Sequence, residues 1–510
     1  MRGRMHEVEL VEADEPGRSR PARDAPADVR LDDEHPVDPQ VAAARSWLRR
    51  RARLLVPAVA VLVGTLVGAQ VLLDQRESRR LAELAAVPGV VRPVDSSIGV
   101  LWRADAQLAP ALRSGAMVDG VLVGGIQDAT GAPVLVGLDP DTGRIEWRTP
   151  VEAEPVPAGA ELWITCNALT HGTSQVAGCV AQVFGANVEG TPRTAVWVLD
   201  PAEGELLMDR LVDGRSGMTF TDDAIVTTEH VADDGEPARW RVTAQDLVTG
   251  ETRWTWTTPP SAVADRESDP DVVDAATYSS LQTQDGHLVL GVDQHAWVLT
   301  TEGDLHLDVP LEPAAWLQPV RAGVFLESTW TSADLYRGSL LLPDGSRVPV
   351  DEVGGWLAVD DGSAPDVVLT VGEAPRGADR LSGRSAATGE LLWRLPGSIV
   401  TSLLLDGTVY VATVDALVAV DAVTGDVRWR TELENLAQQL STDGRYLLVP
   451  GLGATLQAYT LGDGRLAWSA DLSQEIAGDG SATSVQGFQS GPHDPRLYVW
   501  TGDGGVAVLG

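Results

Sequence analysis

The chain has 510 residues and a formal net charge of −35, with 52 Gly, 31 Pro, 16 Trp against 4 Phe, two Cys and no Lys. A surface this acidic repels nucleic acid backbone and anionic lipid, which excludes a nucleic-acid partner. Frequent Asp-Gly and Thr-Gly pairs point to many tight turns and so to an all-β protein, on a chain long enough for several hundred residues of packed core.

In chain order, residues 1–44 read as a disordered acidic cytoplasmic tail, with Glu7, Glu9, Asp32, Asp33 and Glu34 among scattered Pro and Arg. Residues 45–53 form a basic juxtamembrane segment carrying Arg45, Arg49, Arg50, Arg51 and Arg53. The stretch 54–73, LLVPAVAVLVGTLVGAQVLL, holds no charge. Twenty helical residues at about 1.5 Å each span the ~30 Å hydrocarbon core, so this is expected to be a single transmembrane helix. The Arg excess on its N-terminal side places the N-terminus in the cytoplasm, against Arg76, Arg79 and Arg80 on the other side. A cleaved signal peptide is the competing reading, and the long leader disfavours it. Residues 74–97 read as a helical extension ended by Pro88, Gly89 and Pro93, a short stalk.

From Ile98 to the C-terminus one sentence recurs. Val418 to Arg430, VAVDAVTGDVRWR, reads as strand, tight turn and strand, with Gly425 in the turn and Trp429 four residues later. The same frame pairs Gly143 with Trp147, Gly250 with Trp254, Gly389 with Trp393 and Gly464 with Trp468. Met208 stands in the Trp place of LDPAEGELLM, and weaker copies put Leu307 and Pro349 there. Steps of roughly forty residues suit a four-stranded propeller blade.

The frame Asp-x-x-Thr-Gly-x-x-x-Trp resembles the tryptophan-docking repeat of the quinoprotein-like, PQQ-repeat β-propellers. That family holds quinone-cofactor dehydrogenases and also non-catalytic scaffolds such as an outer-membrane assembly lipoprotein. The resemblance implies an all-β propeller over 98–510 in which each Trp packs between neighbouring blades. Trp102, in IGVLWRA, looks like an outer strand without its own blade, while SVQGFQ, RLYVW and GVAVL at the C-terminus lack an outer strand. Trp102 is therefore expected to complete the last blade and close the ring. Counting Trp102, Trp147, Met208, Trp254, Leu307, Pro349, Trp393, Trp429 and Trp468 makes nine Trp places. The resemblance implies eight blades, and nine stays open.

Cys166 and Cys179 flank NALTHGTSQVAG, a turn-rich interval between LWIT and VAQVF. An antiparallel pair there sets them opposite each other, and an isolated pair outside a membrane is expected to be a disulfide. The inventory for chemistry is thin. No adjacent Cys pair of the kind many quinone dehydrogenases carry is present, nor a C-x-x-C-H haem motif, a G-x-S-x-G elbow or a Walker loop. The Asp139-Pro-Asp141-Thr-Gly143 and Asp360-Asp361-Gly362 clusters start like calcium loops but lack the later ligands, so turn chemistry accounts for them. No catalytic residue, cofactor or metal is assigned.

The expected function is that of a plasma-membrane, single-pass protein whose extracytoplasmic propeller binds or scaffolds a protein or small ligand without catalysis. The alternatives are an anchored quinone-dependent oxidoreductase and an external sensor signalling to the acidic tail. The acidic, Pro-rich insertion Pro259 to Asp274 reads as a surface loop.

Overall fold

A computed structural model describes residues 65, 68, 70, 71 and 75–510, apart from 154–159, 185–192, 215, 232–238, 261–278, 285, 293, 313, 322, 331–335, 356, 373–379, 478–484 and 492–493. The chain divides into two compact units, Met1–Arg76 and Glu77–Gly510. The expected tail, basic segment and most of the span 54–73 lie outside the described residues, as does nearly all of the insertion after Pro259. In the first unit Thr65, Gly68, Gln70 and Val71 are helical. Among the described residues no helix is long and apolar enough to cross a membrane.

The second unit is an all-β propeller. Among the described residues nine sheets follow one another, which corrects the expected eight. Blade 1 covers 116–150, blade 2 161–212, blade 3 218–257, blade 4 280–310 and blade 5 315–350. Blade 6 covers 353–396, blade 7 399–432, blade 8 441–471 and blade 9 485–509. The two degenerate copies, with Leu307 and Pro349 in the Trp place, are both full four-stranded sheets. The middle strands of the Leu307 sheet, HLVLGV and HAWVLT, keep the near-continuous apolar run that a sheet packed on both faces needs, and losing the Trp does not remove it.

Blade 9 is closed by the other end of the chain. Val100–Ala104 pairs antiparallel with Val506–Leu509, with Trp102 opposite Val508. Gly99 and Gly510 exchange backbone hydrogen bonds of 3.1 Å at the end of this seam. Joining the first strand to the last leaves no unpaired edge between the ends of the ring.

The apolar core is layered. Nine buried clusters occur among the described residues, and each lies between two neighbouring blades. Blades 7 and 8, for example, share Leu403, Leu405, Ala412, Leu417, Leu447 and Val449. One deviation interrupts the pattern. Leu357–Asp360 leaves blade 6 and pairs in parallel with Ile399–Leu405 of blade 7, so blade 6 keeps only Val353–Gly354 as its first strand.

Residues 77–84 are helical and begin an arm that runs beside the turns joining first to second strands. Arg80 meets Asp406 and the Gly444 carbonyl, Leu84 enters the cluster between blades 7 and 8, and Val91 donates to Thr442 at 2.8 Å. Arg92 then reaches Asp141 in a third-to-fourth strand turn of blade 1. In an antiparallel blade both of these turn types lie at the same end of the strands, so the arm occupies one rim of the wheel.

Candidate functional site

The repeat residues build the joints between blades. In three of the five full copies an Asp starts the turn and its carboxylate accepts the backbone N–H groups two and three residues on, as Asp139 does from Asp141 and Thr142, while Ser385 and Thr460 hold that place before Gly389 and Gly464. Asp421 does the same for Val423 and Thr424, and these bonds, with Arg428, hold its carboxyl down at about 2. Gly143, Gly250, Gly389, Gly425 and Gly464 all take positive φ, between 66° and 75°.

The Trp that covers a given Gly is the Trp of the preceding blade, not the one four residues downstream. Trp102 donates its indole N–H to the Pro140 carbonyl at 2.9 Å, and a Cβ on Gly143 would lie 2.3 Å from its ring. Trp147 does this to the blade 2 turn through Pro201 and Gly204, and Trp254 to the blade 4 turn through Thr301 and Gly303. Trp393 docks on Ala422 and Gly425 of blade 7, and Trp429 on Leu461 and Gly464 of blade 8. A small residue stands opposite each of these rings on the neighbouring strand of its own blade, except for Trp102. Gly137 faces Trp147, Ala244 Trp254, Gly383 Trp393 and Ala419 Trp429. That Gly or Ala, two positions before the turn begins, was a readable signal that the repeat analysis passed over.

The exceptions have physical causes. Beside Met208, Gly250 has nothing within 4 Å of an added Cβ, and Gly345, which follows the Leu307 blade, is equally open. Gly389 is covered by Val348, not by Pro349. In blade 5 the strand pairs Leu341 with Arg347 and Leu340 with Val348 without the bulge found in the other copies, so the covering side chain comes one position early. Trp468 has a ring contact with Tyr446, but its indole N–H finds no acceptor among the described residues. Its neighbour is blade 9, whose outer strand comes from the N-terminal side and therefore follows no Thr-Gly turn.

Between blades 5 and 6 a buried charged cluster accompanies the apolar one. Glu352, 1% exposed, accepts from Arg384 Nε at 2.7 Å, Thr370 Oγ1 at 2.6 Å and Ser382 Oγ at 2.9 Å. Arg384 also donates to the Gly389 carbonyl at 3.1 Å. Burial pushes the Glu352 carboxyl up, but the bonds from Arg384 and Thr370 outweigh it and hold the group below its ordinary value. Alternation of Thr370, Ser382 and Arg384 with apolar neighbours hinted at a polar face, but their partner Glu352 is distant in sequence.

Cys166 and Cys179 form a disulfide within blade 2, with Cα atoms 4.1 Å apart. They sit directly opposite on Glu161–His171 and Ser174–Phe184, and both are fully buried. The turn-rich interval between them is the end of a hairpin of two eleven-residue strands closed at Gly172 and Thr173.

The rim away from the arm carries a cleft of about 1120 Å³ between blades 1 and 2. Its walls are the helix Ala109–Arg113, the second-to-third strand turn of blade 1 around Asp128 and Thr130, and the start of the blade 2 hairpin. Ile126 and Ile164 lie on the buried side. Trp163 and Glu161 begin the hairpin on the sheet face opposite Ile164, with Trp163 41% exposed and its indole N–H 3.3 Å from Glu161. Phe184, 52% exposed, meets it edge-on at 6.4 Å between ring centroids.

Residues 377–509 match a family model described as outer membrane protein assembly factor BamB. Among solved structures, BamB from Moraxella catarrhalis is similar at 14% identity, over 78% of this chain and 95% of that one, with a TM-score of 0.39. A europium-containing methanol dehydrogenase is similar at 11% identity, over 74% and 91%, with a TM-score of 0.33. The quinohemoprotein alcohol dehydrogenase from Comamonas testosteroni is similar at 13% identity, over 85% and 84%, with a TM-score of 0.34. No curated protein matches the chain. The structural likenesses are too remote to carry function, since an enzyme and a non-enzyme share one fold readily. Over residues 377–509 the repeat matches that of the BamB-like, PQQ-repeat β-propellers.

Proposed function

We propose that this protein is a membrane-anchored, extracytoplasmic propeller that binds or scaffolds a protein partner and performs no reaction itself. The observation that carries the reading is the division of labour among its aromatic residues. The repeated indoles lie inside blade joints, while Trp163 and Phe184 stand exposed together on blade 2. Exposed aromatic side chains are common anchors of recognition. The description of the matched family, an outer membrane protein assembly factor, points the same way. The uncharged stretch 54–73 supports the anchor, and a buried disulfide supports an oxidising compartment outside the cytoplasm.

Two measurements test this. Alkylation of cells lysed directly into denaturant, before and after reduction, is expected to show Cys166 and Cys179 blocked until reduced, and free thiols throughout would overturn the compartment. Reconstitution with a quinone and calcium, followed by dye reduction, is expected to yield no turnover; robust turnover would replace this reading with an oxidoreductase.

A further inference from the structure

We infer that the arm, Glu77–Val94, is a noncovalent clamp that guards the closing strand of the propeller. A pull arriving from the residues before it is borne by the rim of blades 7, 8, 9 and 1 and does not reach the seam. Such a role goes beyond the binding function proposed above and is independent of what the propeller binds.

The seam is weak by itself. Its closing strand, Val100–Ala104, is the outermost of blade 9, so it has a ladder neighbour on one side only. Within it only Ala104 is buried, and Leu101 is 48% exposed. The register shifts between Val100 and Trp102, which leaves four paired positions. Tension on the N-terminal end of such a strand breaks its pairs one at a time, not all together.

The arm is fastened ahead of that end. Helical spacing puts Arg80, Leu81 and Leu84 on one face, and the two leucines lie over Gly444, 3.3 and 3.1 Å from where its Cβ would be. Leu84 and Val90 enter the cluster between blades 7 and 8, Val91 and Ile98 the one between blades 8 and 9, and none of the four is more than 5% exposed. Gly89 permits the close approach: its φ is +86°, and an added Cβ would lie 2.6 Å from the Ala358 carbonyl oxygen. Val90 pairs in parallel with Thr442, and the Val94 N–H donates to the buried Asp443 carboxylate at 3.3 Å. The arm then crosses the seam. The Arg92 N–H donates to the Pro495 carbonyl of blade 9 at 2.6 Å, while its guanidinium reaches Asp141 of blade 1. Asp141 also takes Arg496 of blade 9 at 2.6 Å, and the closing strand's Trp102 donates to the adjacent Pro140 carbonyl. One turn of blade 1 is thus held by the arm, by blade 9 and by the closing strand. The Arg80–Asp406 and Arg92–Asp141 pairs are part-exposed and hold little, so they set register. The four buried aliphatic side chains supply the grip. All of these arm contacts precede Val100 in the chain, so tension from the N-terminal side must strip them first.

The test uses the full chain in detergent, with a site for a sequence-specific protease inserted between Ser96 and Ser97, an exposed turn. After cutting, the arm contacts alone join the N-terminal piece to the propeller, and the two are expected to co-elute in size-exclusion chromatography. L84D/V90D is expected to release the piece on cutting, and G89A to release it faster than the wild type. R80Q/R92Q is expected to retain it. In uncut chains, hydrogen exchange of the amides of residues 100–104 is expected to quicken about tenfold in L84D/V90D. Exchange along Glu161–His171 of blade 2 is expected to stay as in the wild type, which shows the propeller still folded. Should L84D/V90D lose protection there too, G89A decides by the same two readings. Release of the wild-type piece on cutting, or its retention by L84D/V90D and G89A as in the wild type, would overturn the clamp. Unchanged exchange at 100–104 in a variant that releases the piece would overturn the guarding of the seam. Release by R80Q/R92Q as complete as by L84D/V90D would overturn apolar burial as the source of the grip.

Discussion

Replacing Trp393 measures what one blade joint is worth. Its ring is 7% exposed, lies over Gly425 of the next blade and belongs to the cluster shared by blades 6 and 7. Its N–H donates to the Ala422 carbonyl at 2.8 Å. Truncating a buried indole costs about 3–5 kcal/mol through lost transfer energy and the cavity left behind. The hydrogen bond contributes about 1 kcal/mol of that, with the Ala422 carbonyl stranded. W393A is therefore expected to lose most of the joint, while W393F, which keeps a ring and loses the donor, loses about 1–2 kcal/mol. Trp468 supplies the control, since its N–H has no acceptor among the described residues. W468F should cost less than W393F. Guanidinium unfolding followed by far-UV circular dichroism reads the three midpoints, with fitted slopes compared because a many-bladed protein need not unfold in two states. The reasoning fails if W393F is as damaging as W393A, or if W468F costs more than W393F.

Three further outcomes follow from the same joints. G425A sets a Cβ within 2.3 Å of Trp393 at a φ of +75° and should destabilise as much as W393A, whereas G250A, at +68° but in open space, should cost only about 1 kcal/mol by thermal melting. E352A leaves Arg384 buried without its carboxylate and should cost about 3–5 kcal/mol, while the paired E352L/R384L is milder. The folded pKa of Glu352 lies below its unfolded value, so its stabilisation is complete above the ordinary glutamate range and is lost as pH falls through the folded pKa. The acid limb of the wild-type stability curve should therefore flatten in E352Q. Removing the disulfide with C166A/C179A should cost about 3 kcal/mol for a loop of this separation, and under native conditions the buried bond should resist reductant until the protein opens.

How much was legible follows from the distance over which each feature is encoded. The turns were readable because Asp421, Thr424 and Gly425 act on backbone groups two to four residues away. The closing strand was readable because an outer strand without a blade and a blade without an outer strand are visible at the two ends. Opposed cysteines followed from the alternation on either side of them, although the hairpin proved longer than its turn-rich composition implied.

The linear chain by itself determined the repeated hairpin, its glycine bend and the indole beyond it, because contiguous residues settle local backbone geometry. Only tertiary structure decided that an indole rests on the next blade's glycine, that nine blades complete the turn, and that Val348 stands in where a bulge is missing. It also decided that Glu352 meets Arg384, and that Trp163 stays exposed while the repeated indoles pack into joints. Each of these depends on the angle and register at which separate sheets pack, a quantity that no short run of residues carries.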